Sequence, residues 1–264
     1  MKEENKNIDV VILCGGMGSR LAEETYIRPK PMVEIGGKPI LWHIMKYYTH
    51  FGFKRFILCL GYKSDYIKKY FYDFKITNSN FTIDLNPESN VNFHDFNFEN
   101  NIEICCVDTG LNTLKGGRLK RVEEYIKSEN FCLTYGDGLS NVNLDSLLDF
   151  HYSHKKIATV TAVRPPSRFG EMVIDKNSVL SFDEKSQMNS GYINGGFFVF
   201  NKKILSYLNN DVDCDLEFGA LQNITSDGEL MAFKHNDFWQ CMDNVRERDY
   251  LNKLFESGNA PWIK

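Results

Sequence analysis

Residues 10–31 read VVILCGGMGSRLAEETYIRPKP: an apolar run that breaks into glycines and then into basic residues set among prolines. Val10, Val11, Ile12 and Leu13 do not alternate with polar residues. Such a β-branched run fits a strand buried on both faces, as in a parallel sheet. Gly15, Gly16 and Gly18 follow at once. Without a Cβ they let the backbone turn sharply and approach a ligand, and successive N–H groups in such a turn cradle an anion. Arg20 and Lys30 bring fixed positive charge of the kind phosphate oxygens use. Pro29 and Pro31 fix φ on both sides of Lys30 and exclude helix, so the lysine sits on stiffened backbone. The run is not a Walker loop, because no Gly-Lys-Ser/Thr follows. Nor is it the dinucleotide fingerprint, which needs a third glycine farther along. It reads as a nucleoside triphosphate loop, with a tight structural turn as the alternative.

The chain continues as alternating helices and strands. The pattern predicts a helix over 38–51 stopped by Gly52, a strand over 55–60, and a helix over 64–74 with Ser64 as N-cap. This β-α-β-α order argues for a parallel sheet with covering helices. Residues 75–101, rich in Asn, Asp and Phe, break the pattern and read as strand fragments or a long loop, a place for binding or assembly. A strand over 102–107 leads through Asp108-Thr109-Gly110 to Gly116-Gly117-Arg118, read as a second glycine-rich basic loop before a helix over 118–126. A helix N-terminus there favours anions. The strand over 131–135 runs into Gly136-Asp137-Gly138. An aspartate at the carboxyl end of a central parallel strand lies where α/β proteins bind ligands.

A helix over 145–154 and a strand over 157–163 complete this half. From Arg164 the character changes: short strands over 172–174 and 179–182, the polar Glu184-Lys185, and Tyr192-Ile193-Asn194-Gly195-Gly196 leading into a strand over 197–200. Helices over 202–208, 215–225 and 245–256 and a strand over 229–234 close the chain. Glu184 and Asn194 suit hydroxyl groups of a second substrate, and Lys185 suits a phosphate. The reading is one continuous α/β domain over 1–264. Residues 1–8 are a flexible lead, 9–163 mainly a nucleotide-binding half, and 164–264 mainly a half for the second substrate.

Composition narrows the class. A net charge of −4 argues against general nucleic-acid binding. No apolar stretch reaches the length of a membrane span, and the polar first seven residues lack a signal-peptide core; the expected location is the cytoplasm. Seven cysteines, an odd number with no Cys-x-x-Cys spacing, fit that location. Cys14, Cys59, Cys105, Cys106 and Cys132 sit in apolar runs and read as small buried hydrophobes. His151 and His154 read as an exposed helix face.

Gly-Gly-x-Gly-Ser-Arg-Leu followed by Arg-Pro-Lys-Pro-Met resembles the signature of the sugar-1-phosphate nucleotidyltransferases. Within that family the chain is similar to the branch that couples CTP to glucose 1-phosphate. The likeness covers nearly the whole chain. It includes residues 30–45, Asp108-Thr-Gly110, Gly116-Gly-Arg-Leu-Lys-Arg121, Leu133-Thr-Tyr-Gly-Asp-Gly138, Arg168-Phe-Gly170, Ile193-Asn-Gly-Gly196, Phe238-Trp-Gln240 and Met242-Asp243.

The resemblance implies a Rossmann-like nucleotidyltransferase domain with a mixed, mostly parallel central sheet flanked by helices. It implies CTP and a sugar 1-phosphate as partners, Mg²⁺ as cofactor and a homo-oligomer. It further implies Arg20 and Lys30 as catalytic residues. The nucleotide positions are Leu13, Cys14, Gly15, Gly16, Gly18, Ser19, Thr109, Thr113, Gly117, Arg118 and Gly136. The metal ligands are Asp137 and Asp243, and the sugar-phosphate positions Glu184, Lys185, Asn194 and Gly195. The chain departs from the family pattern at Cys14 (commonly Ala), Ser19 (often Thr), Glu171 (a small residue), Ser186 (Pro) and Cys241 (Pro). The alternatives are the same chemistry with another nucleotide or phosphorylated acceptor, and a non-catalytic nucleotide-sugar sensor.

Overall fold

The computed structural model describes residues 7–86, 90–94, 102–165, 171–176, 178–183 and 191–263. A central sheet is built from β1 (Asp9–Leu13), β2 (Arg55–Leu60), β3 (Glu103–Asp108), β4 (Asn130–Tyr135), β5 (Ala158–Val163), β6 (Ile193–Asn201) and β7 (Leu230–His235). Their spatial order is β7-β5-β6-β4-β1-β2-β3. β1 is parallel to β2 and β4, β2 to β3, and β5 to β7. β6 runs antiparallel to both of its neighbours. The sheet is mixed and mostly parallel, as the family resemblance implies.

β1 shows why its apolar run is unbroken. Val10 and Ile12 enter one buried cluster, with α1 (Ile40–His50), while Val11 and Leu13 enter a second on the opposite face. Two covered faces require apolar residues at every position. Gly52 ends α1 with φ of 89°, the left-handed conformation that suits glycine. The closing helix α5 (Val245–Glu256) matches its predicted span.

Several local expectations need correction. Helix α2 (Ser64–Tyr72) includes Ser64 as its first residue rather than its cap; Lys63, with φ of 50°, precedes it, and the Ser64 hydroxyl donates to Asp108 instead. The second glycine-rich segment is not a loop. Helix α3 (Lys115–Arg121) contains Gly116 and Gly117, and a short 3₁₀ turn at Glu123–Tyr125 follows. Residues 193–196 are likewise strand, because β6 begins at Ile193 and pairs with Val163 of β5. The two later helices are a 3₁₀ segment at Lys202–Tyr207 and a π-helical turn at Leu216–Leu221 running into Gln222–Ser226.

His151, on α4 (Leu144–His154), is buried rather than exposed, facing Thr159 Oγ1 at 2.9 Å and Asn130 Oδ1 at 3.3 Å. Burial, with His154 alongside, pushes it down to about 4. The irregular 75–101 stretch contains an exposed antiparallel hairpin of Asn80–Ile83 with Val91–His94; its residues 87–89 and 95–101 lie outside the described residues. Residues 1–6 of the expected lead also lie outside them, while Ile8 is buried.

At the far end of β1 a buried carboxylate locks the sheet. Asp9 accepts from the N–H groups of Lys127 and Ser128 at 2.5 and 2.9 Å and pairs with Arg55 at 2.7 Å. Burial raises its carboxyl, but the Ser128 N–H, the Arg55 guanidinium and the Lys127 N–H outweigh this and hold it below the usual carboxylate range. A carboxyl depressed in the folded state contributes stability above its unfolded value and loses it as pH falls through its folded value. Asp9→Asn should therefore cost about 2 kcal/mol at neutral pH. Urea unfolding of both proteins should show that gap closing as the medium is acidified into the range where Asp9 takes up its proton.

Candidate active site

The chain passes from β1 outward to β2 and β3, then returns to place β4 on the other side of β1. That reversal leaves a crevice at the carboxyl ends of β1 and β4, the position where open α/β sheets bind ligands. Both glycine-rich turns open there. The Gly136 N–H donates to Leu13 O at 3.1 Å, joining the two turns, and the Cys14 N–H donates to Cys59 O at 3.0 Å. Leu13, Cys14 and Gly15 are buried, whereas Gly16, Ser19 and Arg20 are exposed at the rim. Gly18 has φ of 64°, and a Cβ there would meet Thr25 at 2.8 Å and Lys30 at 3.0 Å. Only a residue without a side chain fits that corner.

Asp137 leaves β4 on this crevice. The short strand Trp239–Cys241 pairs antiparallel with Gly138–Ser140, and the Met242 N–H donates to Asp137 O at 2.8 Å. This pairing carries Asp243 to Asp137 from more than a hundred residues away. Lys30 Nζ lies 2.6 Å from Asp137 Oδ2 and 2.6 Å from Asp243 Oδ1. Arg20 reaches Asp243 Oδ2 at 2.7 Å, with 72% of its side chain exposed. Burial disfavours the Lys30 charge, but Asp137 and Asp243 more than offset it and raise its titration above the usual lysine value. Burial likewise raises Asp243, and Lys30 and Arg20 outweigh it, holding Asp243 below the usual carboxylate range. Two fixed cations and two carboxylates thus meet at one point.

Arg118 lies beneath the glycine-rich turn with Thr109 bonded to it, while Thr113 and Gly117 pack against Arg121 and the backbone of Asp211. Thr109 and Arg118 are buried. The Arg118 guanidinium reaches Leu60 O at 3.0 Å, Gly110 O at 2.8 Å, Gly15 O at 3.0 Å, Leu111 O at 3.1 Å and Thr109 Oγ1 at 2.8 Å. Thr113 Oγ1 accepts from Arg121 at 2.8 Å. Gly117 is pressed against neighbouring backbone: a Cβ would stand 2.5 Å from Asp211 O.

On the other flank, Asn194 and Gly195 open β6 beside the end of β4. Trp239 Nε1 donates to Gly195 O at 2.7 Å, tying this segment to the strand that carries Asp243. Glu184 and Lys185 lie outside the described residues. The structure also brings in residues that the sequence reading did not single out. Glu247 accepts from the Asp243 N–H at 2.6 Å, and the Cys241 thiol lies 3.7 Å from Asp243 Oδ2. Tyr135 stands between Asn194 and Glu217. The position of Tyr135, directly before Gly-Asp-Gly at a strand end, was a usable signal; nothing in the sequence marks Glu217.

Three comparisons bear on this arrangement. Residues 9–243 match the family model described as Nucleotidyl transferase. The chain is 48% identical over 253 residues to a glucose-1-phosphate cytidylyltransferase of Salmonella typhi, covering 96% of this chain and 97% of that one. It is 40% identical over 252 residues to a probable glucose-1-phosphate cytidylyltransferase of Bacillus subtilis (strain 168), covering 96% and 98%. Among solved structures, it resembles HddC from Yersinia pseudotuberculosis complexed with GMP-PN, with a TM-score of 0.64 and 26% identity over 94% of this chain and 99% of that one.

Proposed function

The chain belongs to the nucleotidyl transferase family, and from that membership we propose how its crevice works. The enzyme transfers the cytidylyl group of CTP to glucose 1-phosphate, giving CDP-glucose and pyrophosphate. An oxygen of the sugar phosphate attacks the α-phosphorus in line, the bond to the β-phosphate breaks, and pyrophosphate leaves. The attacking phosphate is already ionised near neutral pH, so no strong general base is required. Catalysis then rests on positioning and charge stabilisation.

The observation that carries this mechanism is the convergence of Lys30 and Arg20 with Asp137 and Asp243 at the mouth of β1 and β4. Both substrates are polyanions, and the two cations offset their repulsion. Arg20, at the exposed rim, takes the β- and γ-phosphates as they depart. Lys30 steadies charge at the α-phosphate or the incoming sugar phosphate. Arg118, anchored by Thr109, supports from below the turn of Leu13, Cys14, Gly15, Gly16, Gly18 and Ser19 that, with Gly136, encloses the nucleotide, and Thr113 and Gly117 complete the nucleotide side.

The family's divalent metal fits the residues present. Two hard carboxylate oxygens, on Asp137 and Asp243, already converge on a cation, the Lys30 ammonium; such a donor pair suits Mg²⁺. When bound, the ion neutralises triphosphate oxygens and fixes their orientation. The sugar phosphate lies against Asn194 and Gly195, with Glu184 and Lys185 completing the set. In this reading 9–163 mainly serve the nucleotide and 164–264 the acceptor. Several copies assemble through the hairpin that exposes Phe81, Ile83 and Val91. Among the described residues, no helix is long and apolar enough to cross a membrane.

The test is pyrophosphate release with Mg²⁺, crossing CTP, UTP, dTTP and ATP with glucose 1-phosphate and other phosphorylated acceptors. Release confined to CTP with glucose 1-phosphate is expected. Release with CTP but a different acceptor would remove the sugar half of the proposal, and folded protein that binds CTP without any release would favour the sensor.

A further inference from the structure

Asn194 does not stand alone at the crevice. Its Nδ2 lies 3.0 Å from the Tyr135 hydroxyl, which lies 2.5 Å from Glu217 Oε1. Lys115 Nζ pairs with the same Glu217 oxygen and lies 4.8 Å from the centre of the Tyr135 ring. The opposite end of the Asn194 amide is also fixed: Oδ1 accepts the Gly196 N–H at 2.8 Å. Glu217 is placed by the turn that Asp215 caps, accepting the N–H of Glu217 at 2.7 Å and of Phe218 at 2.8 Å. Its second oxygen, Oε2, is sealed from solvent and has no hydrogen-bond partner among the described residues.

We propose that Lys115, Glu217 and Tyr135 form a positioning relay that fixes the polarity of Asn194, so that its amide presents an N–H donor to an oxygen of the sugar phosphate. The inference rests on the reading of Asn194 as an acceptor-site residue. The direction of each hydrogen bond follows from what the groups are able to do. A carboxylate paired with an ammonium only accepts, so the Tyr135 phenol donates to Glu217. The phenol oxygen is then left to accept, and its partner on Asn194 is an N–H. One Nδ2 hydrogen is used there, and the Gly196 N–H engages Oδ1. The second Nδ2 hydrogen is the donor left for the ligand.

An isolated Asn side chain presents a carbonyl as readily as an amine; here the Gly196 N–H on Oδ1 and the Tyr135 oxygen on Nδ2 select one orientation together. The sealed Glu217 oxygen strengthens the argument. A buried polar atom without a partner is costly and rarely retained without a reason, and a tyrosine needed only for packing does not require a carboxylate held on those terms. The relay reaches Asn194 from β4 and α3, and its side-chain hydrogen bonds run among Lys115, Glu217, Tyr135 and Asn194, with none to the glycine-rich turn among the described residues.

Steady-state kinetics of three single variants, each checked for an unchanged circular dichroism spectrum, decide the matter. Asn194→Ala tests the premise: its KM for glucose 1-phosphate should rise, and an unchanged value would overturn the assignment of Asn194 and the relay with it. Tyr135→Phe removes one hydroxyl and keeps the ring. Its KM for glucose 1-phosphate should rise about tenfold, the effect of one lost hydrogen bond in a partly buried site, while its KM for CTP stays within about twofold. Glu217→Gln keeps an oxygen that accepts from Tyr135 and should show a smaller rise than Tyr135→Phe. A Tyr135→Phe enzyme that binds both substrates as the wild type does, or loses both equally, would overturn the relay while leaving the assignment of Asn194 intact.

Discussion

Lys30→Ala is expected to lower pyrophosphate release about a thousandfold, the scale of removing one preorganised charge-stabilising donor. The size of the effect follows from its position. Lys30 is 8% exposed and touches both carboxylates. It is held by the 3₁₀ turn Lys30–Met32, which follows an extended Pro29. Among the described residues no neighbouring cation takes over that point, since Arg20 reaches Asp243 from the rim and bonds its other oxygen. The same change leaves Asp137 and Asp243 facing one another without the ammonium between them. Breaking such a cluster costs about 3 kcal/mol, and thermal unfolding should show it. Added divalent cation should restore much of that stability, because it supplies the missing charge, but not the rate. Full turnover in Lys30→Ala, with the melting temperature unchanged, would remove Lys30 from the mechanism.

Arg118→Ala should produce the larger loss of stability. The guanidinium is a buried clamp on four carbonyls from three segments, and truncation removes one donor from each, Leu60 O keeping the Thr109 N–H and hydroxyl. Unmade hydrogen bonds to a charged group cost more than the average, and we expect about 4 kcal/mol, or about 7 °C in melting temperature for a chain of this size. Gly15 O loses its Arg118 contact but keeps the Tyr62 N–H at 3.1 Å, so the turn loosens rather than collapses. Calorimetric affinity for CTP should therefore fall at least tenfold, with a smaller change for glucose 1-phosphate. Arg118→Lys should recover little, because a point charge cannot span the acceptors that a planar fork reaches. A variant that melts with the wild type would show that the turn is held from elsewhere.

The most legible parts of the chain were those where local chemistry and the final environment agree. The apolar run of β1, the glycines after it and Asp137 at the end of β4 announced the crevice, because burial on both faces and strand-end placement leave direct marks in sequence. The misreadings have a common source: distant backbone decided them. Gly116 and Gly117 disfavour helix by propensity, yet they lie in a helix and are glycine there because the backbone of residues 211–215 stands where any Cβ would. His151 carries a polar ring on a helix that looks surface-bound, but Thr159 and Asn130 receive it from the adjoining strands. Asn194-Gly195 reads as the approach to a strand and is itself strand, because Val163 pairs with Ile193 and Ala162 with Asn194. The approach of Asp243 to Asp137 depends on a three-residue strand pairing with another, a contact too distant along the chain for any local pattern to record.

The reversed direction of β6 has a consequence for descent. An α/β site ordinarily draws its contacts from segments that leave a strand, whereas Asn194 belongs to one that arrives. β5 ends at Val163 and β6 begins opposite it at Ile193. The intervening residues therefore depart from and return to neighbouring points on the same edge. A segment whose ends already touch is free to lengthen, shorten or be traded for another without altering the order of the strands. Length and composition can therefore vary between Val163 and Ile193 while β1, β4 and the carboxylates at their ends keep their places.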